Sequence, residues 1–291
     1  MASSDPNGFT GGRVGEPGPL PHVRIQPASG WRALNLRQLW DARELVGFLT
    51  WRDISVRYKQ TALGASWAVI QPFLMMVVFS VFFGRLAGIP SDGVPYPIFA
   101  FCALLPWQFF AYSLNQGGTS LVKNQALVTK AYFPRLAIPV SAVLGGFVDF
   151  LVASVVLGGM MIFYGVGPDL NVLVLPLFVL LVIVTALGTS LVLSALAVEF
   201  RDVQYTVPFL VQFGLFVTPI AFPLSIVPDS WAWLLGLNPM AGVVEGFRWS
   251  LLGTEAPPLA LMALSFGVAA IVLLAGLLYF RRVEDSFADR I

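Results

Sequence analysis

Val172–Ala197 reads VLVLPLFVLLVIVTALGTSLVLSALA, a run without a single charged residue. A helix needs about 20 mostly apolar residues to cross about 30 Å of hydrocarbon, where no water satisfies its backbone. The run exceeds that length and predicts a membrane span. Ser66–Phe83, Pro139–Tyr164, Tyr205–Phe222 and Leu259–Phe280 meet the same test. Pro97–Tyr112 is interrupted by Pro106 and runs into the polar stretch Ser113–Ser120. It is read as a further span that continues to Leu121, with its polar face turned to protein or water.

Composition agrees. Of 291 residues, 57% are hydrophobic and 11% charged, against roughly 25% charged in an average soluble domain. Mean hydropathy is +0.79. That leaves too little polar surface to coat a water-soluble globule. The net charge of +1 gives no global argument for nucleic acid, and a lone Cys102 with a lone His22 excludes an intrachain disulfide framework or a His/Cys metal cluster. The expected fold is an all-α membrane protein with six transmembrane helices per protomer, an N-terminal amphipathic interface helix and outer re-entrant half-helices.

Residues 1–34, rich in Gly and Pro and without an apolar run, read as a disordered cytoplasmic tail. Residues 35–62 are too charged to insert yet helical in period. Leu36, Trp40, Trp51, Ile54 and Tyr58 share one arc and Arg37, Asp41, Glu44, Arg52 and Lys59 another, which predicts a helix in the interface plane. The transmembrane domain then occupies 63–282, and 283–291 form a cytoplasmic C-terminal tail. Within it, 223–258 is apolar only in patches broken by Pro228, Asn238-Pro239, Gly242 and Gly246, which predicts short half-helices dipping into the outer leaflet. With six spans and both termini inside, ten basic residues (Arg52, Arg57, Lys59, Lys123, Lys130, Arg135, Arg201, Arg281, Arg282 and Arg290) fall on the inner side, against only Arg85 and Arg248 outside.

A P-loop needs a lysine after glycine to neutralise phosphate. The three lysines, Lys59, Lys123 and Lys130, none of which follows a glycine, exclude it. No Gly-x-Ser-x-Gly elbow occurs either. Carboxylate chemistry through Asp149, Glu199, Asp202 or Glu245 stays open. Asp149, the ionisable group deepest in an expected span, is either a pathway residue or a buried acid held by neighbouring hydroxyls. Phe209, Phe213 and Phe216, at helical spacing near Gln212, and Phe79, Phe82 and Phe83 either line a path for sugar rings or pack and face lipid. Trp231, Trp233 and Trp249 read as interfacial anchors.

Trp51-Arg52-Asp53-Ile54-Ser55-Val56-Arg57-Tyr58-Lys59-Gln60-Thr61-Ala62-Leu63-Gly64-Ala65-Ser66-Trp67 resembles the R-D-x-x-x-R-Y-x-x-T-x-L-G-x-x-W signature of ABC-2-type permeases that export polysaccharides or polyol phosphates, the O-antigen and teichoic-acid exporters. Ala131–Arg135, Phe200–Val203, Leu237–Met240 and Glu245–Arg248 resemble further family segments in the family's order. The resemblance implies a homodimer on two copies of a separate P-loop ATPase, with ATP and Mg on that partner and no cofactor on this chain. It implies a lipid-linked glycan on an undecaprenyl-type diphosphate as substrate, and a bacterial cytoplasmic membrane location. Arg52, Arg57, Lys123, Lys130 and Arg135 become candidates for coupling to the ATPase or for anionic headgroups. Tyr58, Leu63 and Gly64 fall at the channel mouth, and the six phenylalanines above in its lining. A teichoic acid or capsule exporter, a drug or small-lipid permease and a membrane enzyme are the alternatives.

Overall fold

The computed structural model describes residues 36–59, 66–130, 133–167, 169–284 and 287. The expected tail 1–34, the loop residues Leu63 and Gly64, and most of 283–291 lie outside them. The described residues are helical, with no strand among them. The helices are α1 (Leu36–Asp41), α2 (Arg43–Lys59), α3 (Trp67–Phe79, continued as a π-helix over Ser80–Leu86), α4 (Tyr96–Gly117), α5 (Ser120–Lys123), α6 (Gln125–Lys130), α7 (Ala137–Tyr164), α8 (Leu175–Glu199), α9 (Val203–Val217), α10 (Asp229–Gly236), α11 (Pro239–Leu252) and α12 (Leu259–Glu284).

Among the described residues, five helical stretches are long and apolar enough to cross a membrane: Trp67–Leu86, Tyr96–Gly117, Ala137–Tyr164, Leu170–Glu199 and Leu259–Glu284. The sixth expected span departs from the pattern. In place of Tyr205–Phe222 the chain forms the 15-residue α9, about 22 Å at 1.5 Å per residue and short of the roughly 30 Å core. The cause is Pro219, which disfavours a helical residue before it. Thr218 is accordingly extended, at φ −86° and ψ 140°. The helix α4 also stops early, at Gly117 rather than Leu121, and α5 restarts after a turn.

The helix α4 is the innermost: 78% of its apolar window is buried, against 17% for Trp67–Leu86. It packs on α3, α7, α8 and α11. Glycines set the closest approaches. A Cβ on Gly276 of α12 would lie 2.5 Å from the Gly188 carbonyl of α8, so these two backbones touch. A second apolar core joins Val46 and Leu49 of α2 to Leu121, Val128, Leu136, Leu191 and Phe280. The packed face of α2 therefore runs through Val46 and Leu49, while Trp40 and Trp51 of the expected apolar arc are exposed. A turn at Ala42 separates α1 from α2, with helical hydrogen bonds running through it from Ala42 to Gln38 and from Val46 to Ala42. Exposed tryptophans suit a headgroup layer.

In the segment 223–258, the helices α10 and α11 are each too short to span. The Asn238 side chain caps α11 by accepting from the Met240 amide at 3.1 Å, Pro239 occupies its first turn, and Gly253 closes it at φ 68°. Arg248 and Glu245, expected on an outer face, are both buried. The guanidinium donates to the carbonyls of Pro219, Ile220 and Phe222 (2.7, 2.8 and 3.2 Å) and to the Glu245 carboxylate (2.9 Å), and its centre lies 3.5 Å from the Phe99 ring centroid.

Arg248→Leu strands Glu245 without a counter-charge, and is expected to cost about 3–5 kcal/mol. Thermal unfolding in detergent checks this. The double variant Arg248→Leu/Glu245→Leu should recover part of the loss.

Candidate functional site: a cleft between a charged junction and an aromatic rim

The helices α3, α4, α7 and α9 enclose a cleft of about 530 Å³. Its wall carries the amides of Gln71, Gln108, Asn115 and Gln212 and the rings of Trp107 and Tyr112. Two glycines admit the rings. A Cβ on Gly146 would lie 2.3 Å from Tyr112, and one on Gly214 would lie 2.9 Å from Trp107.

At one end Tyr112 and Gln116 are shared with a second hollow of about 440 Å³. Arg52, Asp53, Arg57 and Lys123 stand around that hollow. At the other end Met75, Gln212 and Leu215 are shared with a third, of about 660 Å³, rimmed by Phe79, Phe82, Phe83 and Phe216. Shared walls place the three hollows next to one another, and α3 lines the first and third.

Asp149 of α7 sits where the first two hollows meet. Its carboxylate accepts from the Arg57 guanidinium on one oxygen and from the Tyr58 hydroxyl on the other. Arg57 also lies over the Tyr112 ring, 4.1 Å from the centroid. The side chains of Arg57 and Asp149 are each 27% exposed, so the pair is neither fully screened nor fully desolvated. The Tyr58 phenol is pushed up to about 12, first by burial and then by its bond to the Asp149 carboxylate and by that group's charge. It remains a protonated donor across physiological pH.

The other basic candidates are engaged too. Arg52 bonds to Asp53 (2.8 Å) and to Asn124 (2.9 Å). Lys123 donates to the Gln116 amide oxygen at 2.9 Å. Desolvation holds its ammonium below the ordinary lysine value, with Asp53 pulling it back. The Arg135 guanidinium donates to the Glu284 carbonyl and its amide to the Glu284 carboxylate, tying the start of α7 to the end of α12. The Lys130 side chain lies outside the described residues.

The aromatic candidates divide. Phe79 is 4% exposed and packs in the main core. Phe83 is half-buried with its ring centroid 5.1 Å from that of Phe79. Phe82 and Phe216, 57% and 61% exposed, face each other's helices across the third hollow. Phe209 and Phe213 are exposed and stacked at 6.4 Å, and line none of the three hollows.

Sequence reasoning turned the polar end of α4, with Asn115 and Gln116, to protein or water, but did not extend that face to Gln108 and Tyr112. Gln108, Tyr112 and Asn115 recur at helical spacing and mark one polar and aromatic stripe. That signal was available. The Arg57–Asp149 pair, separated by 92 residues, left none.

Apolar helices of spanning length, with polar groups gathered on an internal cleft, define a multi-pass membrane protein. Residues 44–252 match the ABC-2 type transporter family, and the chain belongs to it. That region runs from α2 to the end of α11 and takes in every cleft residue named above. The chain is 30% identical over 260 residues to the O-antigen export system permease protein RfbA of Myxococcus xanthus, covering 88% of this chain and 98% of that one. It is 28% identical over 256 residues to the protein of the same name from Klebsiella pneumoniae (88% and 96% covered). It is 25% identical over 245 residues to the polysialic acid transport protein KpsM of Escherichia coli (81% and 92% covered).

A double-mutant cycle of Arg57→Gln and Asp149→Asn, read by thermal unfolding in detergent, should give a coupling of about 1 kcal/mol, between the exposed and buried limits for ion pairs.

Proposed function

We propose that this chain is the permease subunit of an ABC exporter that carries a lipid-linked polysaccharide, of the O-antigen kind, out across the bacterial cytoplasmic membrane. The observation that carries the reading is the succession of adjoining hollows, from the Arg52, Arg57 and Lys123 cluster through amides to the Phe82 and Phe216 rim. The cationic end suits a diphosphate headgroup, as charge-assisted bonds are the strong ones. The amide and aromatic middle suits sugars. Ring faces stack on them, amides exchange bonds with their hydroxyls, and no single contact is tight enough to stop movement. Relatives named for O-antigen export and for polysialic acid transport support a polysaccharide over a drug or small lipid, and leave a capsule or teichoic acid as variants of the same reading.

In this reading α9 serves as the sixth span with the residues that follow it, and both termini are cytoplasmic. Two copies of the chain sit on two copies of a P-loop ATPase, which holds ATP and Mg. The helix α2 serves as the interface helix and α5–α6 as the coupling segment. When the partner moves α2, the Arg57–Asp149–Tyr58 junction passes that displacement directly to α7, a wall of the cleft. A carboxylate enzyme is disfavoured, because Asp149 is held by two donors and Glu245 is buried against Arg248.

The test is export of surface glycan in cells that depend on this chain. Arg57→Asp should lower export about tenfold or more while leaving the protein inserted, since a factor of ten corresponds to only about 1.4 kcal/mol. Adding Asp149→Arg should restore part of it by reversing the pair. Wild-type export by the single variant would remove the junction from the transport stroke. Replacing Lys123, Lys130 and Arg135 together by Glu should uncouple export from ATP hydrolysis without loss of insertion. A purified chain that brings down no P-loop ATPase would sink the reading as a whole.

A further inference from the structure

A fourth hollow, of about 880 Å³ and larger than the three above, lies between α3 and α7 and is separate from them. Phe73, Val77 and Val81 form one wall, Val156, Gly159 and Phe163 the other, and Arg85 stands at its end. It occupies the flank of α3 opposite the hollow of Phe82 and Phe216, since Val77 and Val81 line one and Val78 and Phe82 the other.

Three features identify its occupant. The walls are apolar, and Gly159 keeps the α7 side open, with nothing within 4 Å of a Cβ built there. From Phe73 to Arg85 the groove follows α3 for about 18 Å at 1.5 Å per residue, about one leaflet of a roughly 30 Å core. Arg85 is exposed and takes part in none of the ion pairs among the described residues. The other basic residue of that end, Arg248, is buried. A leaflet-deep apolar groove with one cation at its rim, unpaired among the described ion pairs, complements in shape and charge a phospholipid whose headgroup is net anionic. A polyprenyl carrier is longer than a leaflet and fits less well.

We propose that this groove binds one anionic phospholipid, acyl chain along α3 and α7 and phosphate at Arg85, and that the lipid braces the π-helical end of α3 from the side away from the cleft. This site is independent of the transport reading, because binding is measured without substrate or nucleotide.

The full chain is reconstituted in nanodiscs holding phosphatidylglycerol and phosphatidylcholine in equal amounts, and retained lipid is counted by native mass spectrometry. The expected preference for phosphatidylglycerol is about fivefold, from one cation near the membrane surface. Arg85→Gln should abolish the preference while lipid is still retained. Gly159→Leu should displace both lipids, and Gly158→Leu, outside the groove lining, should change nothing. Equal retention of the two lipids by the wild type, or an unchanged preference in Arg85→Gln, overturns the proposal. So does a polyprenyl phosphate retained from the cell membrane in the lipid's place, or cross-linking between two copies through the cysteine introduced by Gly159→Cys.

Discussion

Backbone polar groups in hydrocarbon must find partners within the protein, and the fold turns on how that is met where α9 stops. At Thr218 the helical ladder ends, and the carbonyls of Pro219, Ile220 and Phe222 would be left unpaired among apolar side chains. A single guanidinium, Arg248, takes all three. Burying a charge costs several kcal/mol, and here Glu245 and the Phe99 ring offset that cost from the other sides. The non-helical chain and the buried arginine stabilise each other, and neither is tolerable alone.

From that knot the geometry of the cleft follows. The Asn238 amide donates to the Thr218 hydroxyl at 2.9 Å and the Tyr96 hydroxyl to the Ala221 carbonyl at 2.7 Å, so the end of α9 is fixed to the start of α11 and the start of α4. Gln212 and Phe216 sit six and two residues before Thr218. Their distance from α3 is thereby set by hydrogen bonds that never touch the cleft.

The sequence made local features readable and left distant partners hidden. Long apolar runs marked five helices, because length and hydropathy are properties of one segment. Asn238-Pro239 and Gly253 marked both ends of α11 for the same reason, as cap chemistry is local. Thr218-Pro219 carried the signal for the early end of α9, but the surrounding hydropathy masked it. Arg248 read as an outer-loop charge because periodicity cannot reveal three carbonyls that lie 26 to 29 residues away. Asp149 was conspicuous, while its partners 91 and 92 residues earlier were not. The packed face of α2, through Val46 and Leu49, lies off the arc of Trp51 and Tyr58, and which face meets the bundle is a tertiary fact that periodicity does not carry.

Burial also divides the bundle into parts that differ in freedom. The helix α4 is enclosed on most sides, and the Gly188–Gly276 contact locks α8 to α12 with backbones touching, so this half has little room to rearrange. The helix α3 is the least buried of the long helices, and it ends in seven residues of π-helix, a geometry found in single turns at functional sites and rarely at this length. Regions with few packed contacts open at lower free energy than the core around them. The flank of α3 that faces the cleft is thus its least constrained wall, while α4, holding Tyr112 and Gln108, is its most constrained.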